Sequence, residues 1–78
     1  IHMITAQYYL NANNPNKALQ IALKVQEKDP NVHHLNIFIS RCYTVLGDYD
    51  AAQKAFDMET DERAKEEFYN TLNNAKSN

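Results

Sequence analysis

The chain has no tryptophan, one glycine, two prolines and one cysteine among its 78 residues. So few glycines and prolines leave few points at which a helix must break, and this favours an all-α fold. The single cysteine, Cys42, excludes an internal disulfide and fits a reducing compartment.

Long apolar runs and blocks of basic residues are missing as well. No uninterrupted apolar stretch approaches the roughly 18 residues needed to span a bilayer, and the start lacks the charged-then-apolar pattern of a secretory signal. The net charge is −2, so bulk electrostatic attraction to nucleic acid or to an anionic membrane is not expected. We therefore expect a cytoplasmic protein that binds neither.

Sequence patterns typical of catalysis are missing too. The chain has no phosphate loop, nucleophile elbow or carboxylate pair that stands out. Cys42 has no activating neighbour in the sequence, and a buried thiol on a helix is usually inert. We therefore expect no enzyme activity, no catalytic residues and no cofactor.

Two polar clusters invite a metal interpretation, and we favour a simpler one for each. Adjacent residues on a helix point about 100° apart, and no further Cys or His lies at ligand spacing from His33-His34. We expect these to be surface histidines at a helix start. The acidic group lacks the central glycine of an EF-hand and is expected to be a solvated helix junction with no metal; it comprises Asp57, Glu59, Asp61 and Glu62.

The length fits one small domain, since domains usually run to about 100–150 residues. A chain this short buries only about 60% of the surface that its unfolded form exposes, so its stability should be modest. We interpret residues 1–2 as a cloning remnant and residues 3–78 as a single domain.

Apolar spacing predicts five helices. The third is apolar on more than one side, so it should be sandwiched between neighbours, and Gly47 should end it in the left-handed conformation. Thr60 is the expected N-cap of the fifth helix, a solvent-facing closing helix with a narrow apolar stripe of Ala64, Phe68, Leu72 and Ala75. The predicted helices run from Met3 to Leu10, from Asn14 or Pro15 to the stop at Asp29–Pro30, from about Val32 to Val45, from Asp48–Asp50 onward, and from Thr60 to about Ala75.

Two stretches of the chain echo each other at an offset of 34 residues, a period typical of helical-repeat arrays. The small residues of the echo would let paired helices approach closely, and the tyrosines would fill space between successive hairpins. The echoing positions are Tyr9 and Tyr43, Ala18 and Ala52, and the turns at Asn13-Asn14 and Gly47-Asp48.

These residues resemble the tetratricopeptide repeat family, whose unit is a pair of antiparallel helices. The second copy matches through Ile39-Ser40, Tyr43, Gly47-Asp48-Tyr49, Ala52 and Phe56, and the first through Ala6, Tyr9, Ala18 and Pro30. The resemblance implies one repeat at about residues 3–31, a second at about 32–59 and a capping helix at about 61–75. The rival interpretation is an unrelated small helical bundle whose alanines and tyrosines repeat by chance.

The chain also departs from the family pattern. The family's tryptophan position holds His2 and Asn36, and Ala22 replaces an aromatic residue in the first copy. Ala64 replaces the closing proline, so the boundary between the fourth and fifth helices is not fixed by the pattern. Some members clamp the C-terminal carboxylate of heat-shock chaperones, but the corresponding positions here do not supply the clamp: Met3, Gln7 and Phe38 in one register, Ile4, His34 and Phe38 in the other.

The resemblance further implies a concave face lined by the first and third helices. Mixed apolar and polar residues with one cation, Arg41, suit an extended peptide or a partner helix. The alternative for Ile37, Phe38 and Val45 is that they are core residues. The implied groove positions are Ile4, Gln7, Leu10, Asn11, His34, Ile37, Phe38, Arg41 and Val45.

Our leading hypothesis is therefore a protein–protein interaction module with a protein or peptide partner. Two repeats are fewer than the roughly three that usually make a stable array. The chain is thus either part of a longer array or pairs through an exposed end face. The second hypothesis is accordingly a structural segment that forms homo-oligomers through its end faces and has no separate ligand. A third is a regulatory domain attached to an enzyme elsewhere in a parent protein.

Overall fold

The computed structural model describes residues 3–77, and α-helices hold most of them. Within that range there are five helices and no strand, which confirms the all-α class. No helix there is both long enough and apolar enough to cross a membrane. The helices are α1 (Met3–Asn11), α2 (Pro15–Lys28), α3 (Leu35–Leu46), α4 (Tyr49–Met58) and α5 (Glu62–Ser77).

The turns that end α1 and α3 share one backbone geometry. Asn13 and Gly47 both adopt a positive φ, at 62° and 84°, as is typical of the residue after a helix end. In each turn the amide of this residue and the amide of the next residue bond back to the last turn of the helix. These bonds are Asn13 N to Leu10 O at 3.1 Å, Asn14 N to Tyr9 O at 2.8 Å, Gly47 N to Thr44 O at 3.1 Å and Asp48 N to Tyr43 O at 3.0 Å.

The starts of α2 and α4 also share one arrangement, an N-cap hydrogen bond to a side chain in the preceding turn. Asn14 Oδ1 accepts from the amide of Lys17 at 3.3 Å, and Asp48 Oδ1 accepts from the amide of Ala51 at 3.2 Å. Both are N-cap bonds, which satisfy amides that the helix itself leaves without partners. Each of these donors and acceptors has a counterpart 34 residues away, so the two stretches share the hydrogen bonds of their turns as well as residue types.

The core consists of two apolar clusters that share α3. The first lies among α1, α2 and α3, with Ala55 of α4, and includes Ala6, Ala18 and Leu35. The second lies among α3, α4 and α5 and includes Ile37 and Phe68. Because α3 buries residues toward both clusters, it is sandwiched as its sequence predicts. The buried residues of α3 are Leu35, Ile37, Phe38, Ile39, Ser40 and Cys42.

Fully buried alanines lie on α2 and α4, where each packs against the preceding helix. Ala18 and Ala52 have no exposed surface. At the second site the hydroxyl of Ser40 donates a 2.7 Å hydrogen bond to the backbone oxygen of Ala52. A bond from an α3 side chain to the α4 backbone requires the two helices to be close, which a larger residue at position 52 would prevent.

Helix α3 begins three residues later than predicted. The segment before it forms turns, with the amide of Val32 bonded to Asp29 O and the amide of Leu35 bonded to Val32 O. His34 then adopts the left-handed conformation (φ 61°, ψ 17°) and provides no side-chain cap. The predicted start at Val32 is therefore wrong, because His34 has a left-handed backbone conformation and a right-handed helix can begin only after it.

The cap of α5 also differs from the prediction. Asp61, rather than Thr60, accepts hydrogen bonds from the amides of Arg63 and Ala64 through Oδ1, at 3.0 and 3.3 Å. Three of the four residues in the predicted stripe of this helix, Ala64, Phe68 and Leu72, are buried, and the fourth, Ala75, is half-buried. The stripe packs α5 against both α3 and α4.

Replacing Ala52 with leucine should destabilise the domain by about 1–3 kcal/mol, because three extra carbons must enter a contact that has no free surface. Ala51→Leu is the matched control, since Ala51 is half-buried beside a shallow surface groove. Urea unfolding followed by circular dichroism measures both. Equal unfolding midpoints for the two variants would contradict the close approach of α3 and α4.

Candidate binding cleft

A cleft of about 270 Å³ opens between α1, α3 and α5. It is flanked by α1 on one side and α5 on the other, and the turn before α3 closes one end. Its lining is mixed, with apolar residues, polar residues and charges of both signs. The lining residues are Met3, Gln7, His33, His34, Ile37, Phe38, Arg41, Ala64 and Glu67.

Five of the nine groove positions implied by the resemblance line this cleft: Gln7, His34, Ile37, Phe38 and Arg41. The other four lie outside it. Of these, Ile4, Asn11 and Val45 are exposed, whereas Leu10 is half-buried and packs against the first core cluster.

Sequence reasoning missed four of the lining residues: Met3, His33, Ala64 and Glu67. Ala64 and Glu67 belong to α5, which we expected only as a solvent-facing cap. Their spacing of three places them on one side of that helix, but only the packing of α5 on α3 directs that side into the cleft.

Ile37 and Phe38 contribute both to the core and to the cleft. They are 5% and 8% exposed and belong to different core clusters. The core alternative is therefore correct for these two residues, which also line the cleft. Val45 is 53% exposed, so it is not a core residue.

Arg41 is the cation of the cleft. Its guanidinium carbon lies 5.3 Å from the ring centroid of Phe68 on α5, within cation–π range. In the described range, residues 3–77, no carboxylate oxygen lies within 4.0 Å of this guanidinium. Arg41 is exposed, so its fork of N–H donors is free to bind an anionic group of another molecule.

Cys42, next to Arg41 in the sequence, has no exposed surface. Burial raises the pKa of this thiol to about 11, and the nearby positive charge of Arg41 offsets only part of that effect. The thiolate is the nucleophilic form, and at neutral pH it is scarce at such a pKa. Cys42 is therefore a packing residue behind the cleft.

Glu59 connects the first turn of α3 to the turn before α5 through hydrogen bonds from two backbone amides. Its side chain is buried, its Oε1 accepts from the amide of Ile37 at 3.1 Å, and its Oε2 accepts from the amide of Asp61 at 3.0 Å. The amide of Ile37 lies in the first turn of α3, where a helix leaves its donors without partners. The prediction that Glu59 belongs to a solvated acidic patch is thus wrong, because this carboxylate is an internal cap.

Asp61 continues the same connection on the surface. While Oδ1 caps α5, Oδ2 lies 2.7 Å from Nε2 of His34 and 4.0 Å from Nε2 of His33. The hydrogen bond from His34, helped by the amides of Ala64 and Arg63, holds the pKa of Asp61 below its ordinary value. The carboxylate therefore stays ionised and remains an acceptor.

The two histidines do not diverge as they would on a helix. Their ring centroids are 3.6 Å apart and the ring planes differ by 32°. Both residues precede α3, and the left-handed backbone of His34 brings the rings to the same side. The helix geometry that we assumed for His33-His34 is thus incorrect, and Asp61 joins them from a distant part of the sequence.

Comparisons with protein-family models, with curated proteins and with solved structures find no significant match to this chain.

Removing the Glu59 carboxylate should destabilise the fold by about 2–4 kcal/mol, because Glu59→Ala leaves the buried amide of Ile37 and the amide of Asp61 without acceptors. The control is Glu66→Ala, which removes an exposed carboxylate from α5 and should cost less than about 0.5 kcal/mol. Urea titration gives both values. Similar losses in the two variants would show that Glu59 is not an internal cap.

Proposed function

We propose that this chain is a protein–protein interaction module of the tetratricopeptide type, which binds a peptide or partner helix in the cleft between α1, α3 and α5. The observation that carries the proposal is the pairing of a free guanidinium, Arg41, with the apolar side chains of Ile37 and Phe38 in one cleft. Such a combination suits a ligand that presents a carboxylate next to an apolar side chain. The proposal involves no catalytic step.

The equivalence of the two turns supports the repeat interpretation. A chance echo of alanines and tyrosines would not require matching hydrogen bonds, yet Asn13 and Gly47 share both the left-handed conformation and their bonding pattern. Helix α5 packs on α3 and α4, the place in which a stacked array would put the first helix of a following repeat. On this interpretation α1, α3 and α5 are the successive first helices, and their shared cleft is the concave face.

The volume of the cleft limits what it accepts. About 270 Å³ lies just below the roughly 300–1,000 Å³ typical of small-molecule sites. It accommodates one or two side chains rather than a whole folded surface. We therefore favour a short extended segment, or one turn of a helix, that inserts an apolar residue against Phe38 and places an acidic group on Arg41.

Binding would require little reorganisation of the protein. Helix α3 is packed in both core clusters, and the buried Glu59 fixes its first turn, so Ile37 and Phe38 are already ordered before a ligand arrives. Preorganised surfaces bind more tightly because they lose less conformational entropy. Gln7 and Glu67 on the two walls supply polar partners for the ligand backbone.

Selection of a random linear peptide library against the chain should enrich sequences that combine an acidic residue with an aliphatic or aromatic one. Their affinity should fall at least tenfold in Arg41→Glu, because the variant replaces a charge-assisted hydrogen bond with like-charge repulsion. Fluorescence polarisation of a labelled enriched peptide measures this loss.

Arg63→Glu is the matched control, since it makes the same charge change at an exposed position of α5 outside the cleft. Its affinity should stay within about twofold of the wild-type value, after allowance for long-range charge effects, which salt screens. Equal losses in both variants, or selected peptides that bind Arg41→Glu as tightly as wild type, would rule out the cleft as the site.

A second candidate function, self-assembly, is favoured by the outer face of α1. Ile4 is 81% exposed and Tyr8 is 66% exposed, and their spacing of four places them side by side. An apolar pair of this kind at the end of a repeat array is the surface on which another repeat, from a second copy, would stack.

If α1 mediates self-assembly, sedimentation equilibrium of the wild type should show a weight-average mass that rises with concentration. Ile4→Glu should keep the chain monomeric, because it places a charge in the contact. Val45→Glu, at another exposed apolar position, should behave like the wild type. A wild-type chain that remains monomeric throughout the series contradicts this candidate.

A further inference from the structure

Three metal-ligand atoms converge beside the cleft, in a neighbouring groove that shares His33 and His34 with it. They are Nε2 of His33, Nε2 of His34 and a carboxylate oxygen of Asp61, and the three ligand atoms lie within 4.8 Å of one another. The histidines come from the turn before α3, whereas Asp61 comes from the turn before α5. Residues 27 positions apart in the chain are thus brought into one cluster by the fold.

The spacing of these atoms suits a tetrahedral ion. Zinc bonds nitrogen and oxygen at about 2.0–2.2 Å, which places neighbouring ligand atoms roughly 3.3 Å apart around a tetrahedron. The observed distances from Oδ2 of Asp61 are 2.7 Å to His34 and 4.0 Å to His33, one on each side of that value.

The carboxylate is held in position by other contacts. Oδ1 of Asp61 is occupied by the amides at the start of α5, so the second oxygen, Oδ2, faces the imidazoles. A ligand whose other atom is already bonded needs little ordering when an ion arrives. The imidazole of His34 is held toward this oxygen by their 2.7 Å hydrogen bond.

We propose that His33, His34 and Asp61 form a binding site for a zinc ion. Two imidazoles and one carboxylate are a donor set for borderline ions such as zinc, whereas magnesium and calcium prefer oxygen ligands alone. The cluster is exposed, so water completes the coordination. The bound ion connects the turn before α3 to the turn before α5 and adds positive charge to the end of the cleft that His33 and His34 line.

Calorimetric titration of the 78-residue chain with zinc chloride, at pH 7.5 in a buffer that does not bind metal, tests the site. The wild type should bind one ion, and its Tm should rise with zinc because the ion binds the folded state. Affinity should fall at least tenfold in each of three variants, His33→Gln, His34→Asn and Asp61→Asn.

These substitutions are chosen to preserve the fold. Asparagine tolerates the left-handed conformation at position 34, and it is also an effective N-cap at position 61, so only the ligand atom is lost. Circular dichroism and the Tm without zinc verify that each variant is folded. The controls are Asp57→Asn, which removes an exposed acid elsewhere, and His2→Ala, which removes the histidine outside the described residues.

Visible absorption of the Co²⁺-loaded chain adds a readout of geometry, because tetrahedral Co²⁺ absorbs far more strongly than the octahedral aqueous ion. The strong bands should appear in the wild type and both controls and be absent from the three site variants. The proposal is overturned if zinc leaves the wild-type Tm unchanged, if the site variants bind as tightly as the wild type, or if His2→Ala loses as much affinity as His34→Asn.

Discussion

The buried carboxylate of Glu59 is the contact on which the cleft depends. Helix α3 has no capping side chain of its own, since the side chain of His34 at the cap position makes no hydrogen bond to the helix. Glu59 reaches back from the end of α4 to fill that role and simultaneously binds the amide of Asp61, next to the start of α5. One side chain therefore sets the relative position of two of the three helices that form the cleft. A charged group is tolerated in this buried place because N–H donors meet both of its oxygens.

The second constraint is the double burial of α3. A chain of this size has little apolar surface to bury, and it divides that surface between two clusters, to both of which α3 contributes. Ile37 faces one cluster and Phe38 the other, yet both also reach the cleft. The surface proposed for binding is thus continuous with the core, which makes it rigid. It also means that truncating these two side chains would affect stability and binding together. Arg41 is exposed, so replacing it tests binding without removing a core side chain.

The scaffold and the proposed specificity reside in different residues. The positions that echo at 34 residues, such as Ala18 with Ala52 and Asn13 with Gly47, are buried contacts or turns. The residues of the cleft do not echo, since Gln7 on α1 corresponds to Arg41 on α3. The 34-residue correspondence is therefore found at packing and turn positions, whereas the residues proposed for binding differ between the two stretches.

Periodicity and turn residues in the sequence determined the all-α class, the sandwiching of α3, the ends of α1 and α3 and the inner stripe of α5. These features depend on interactions between near neighbours in the chain, which spacing alone encodes. The family resemblance implies nine groove positions, and the cleft is lined by five of them. Only the tertiary structure decided the rest: that Glu59 caps α3, that Ala64 and Glu67 turn into the cleft, and that Asp61 meets His33 and His34. Each of these joins residues more than 20 positions apart. Their meeting depends on how α5 packs against α3, and no local pattern of residues specifies that packing.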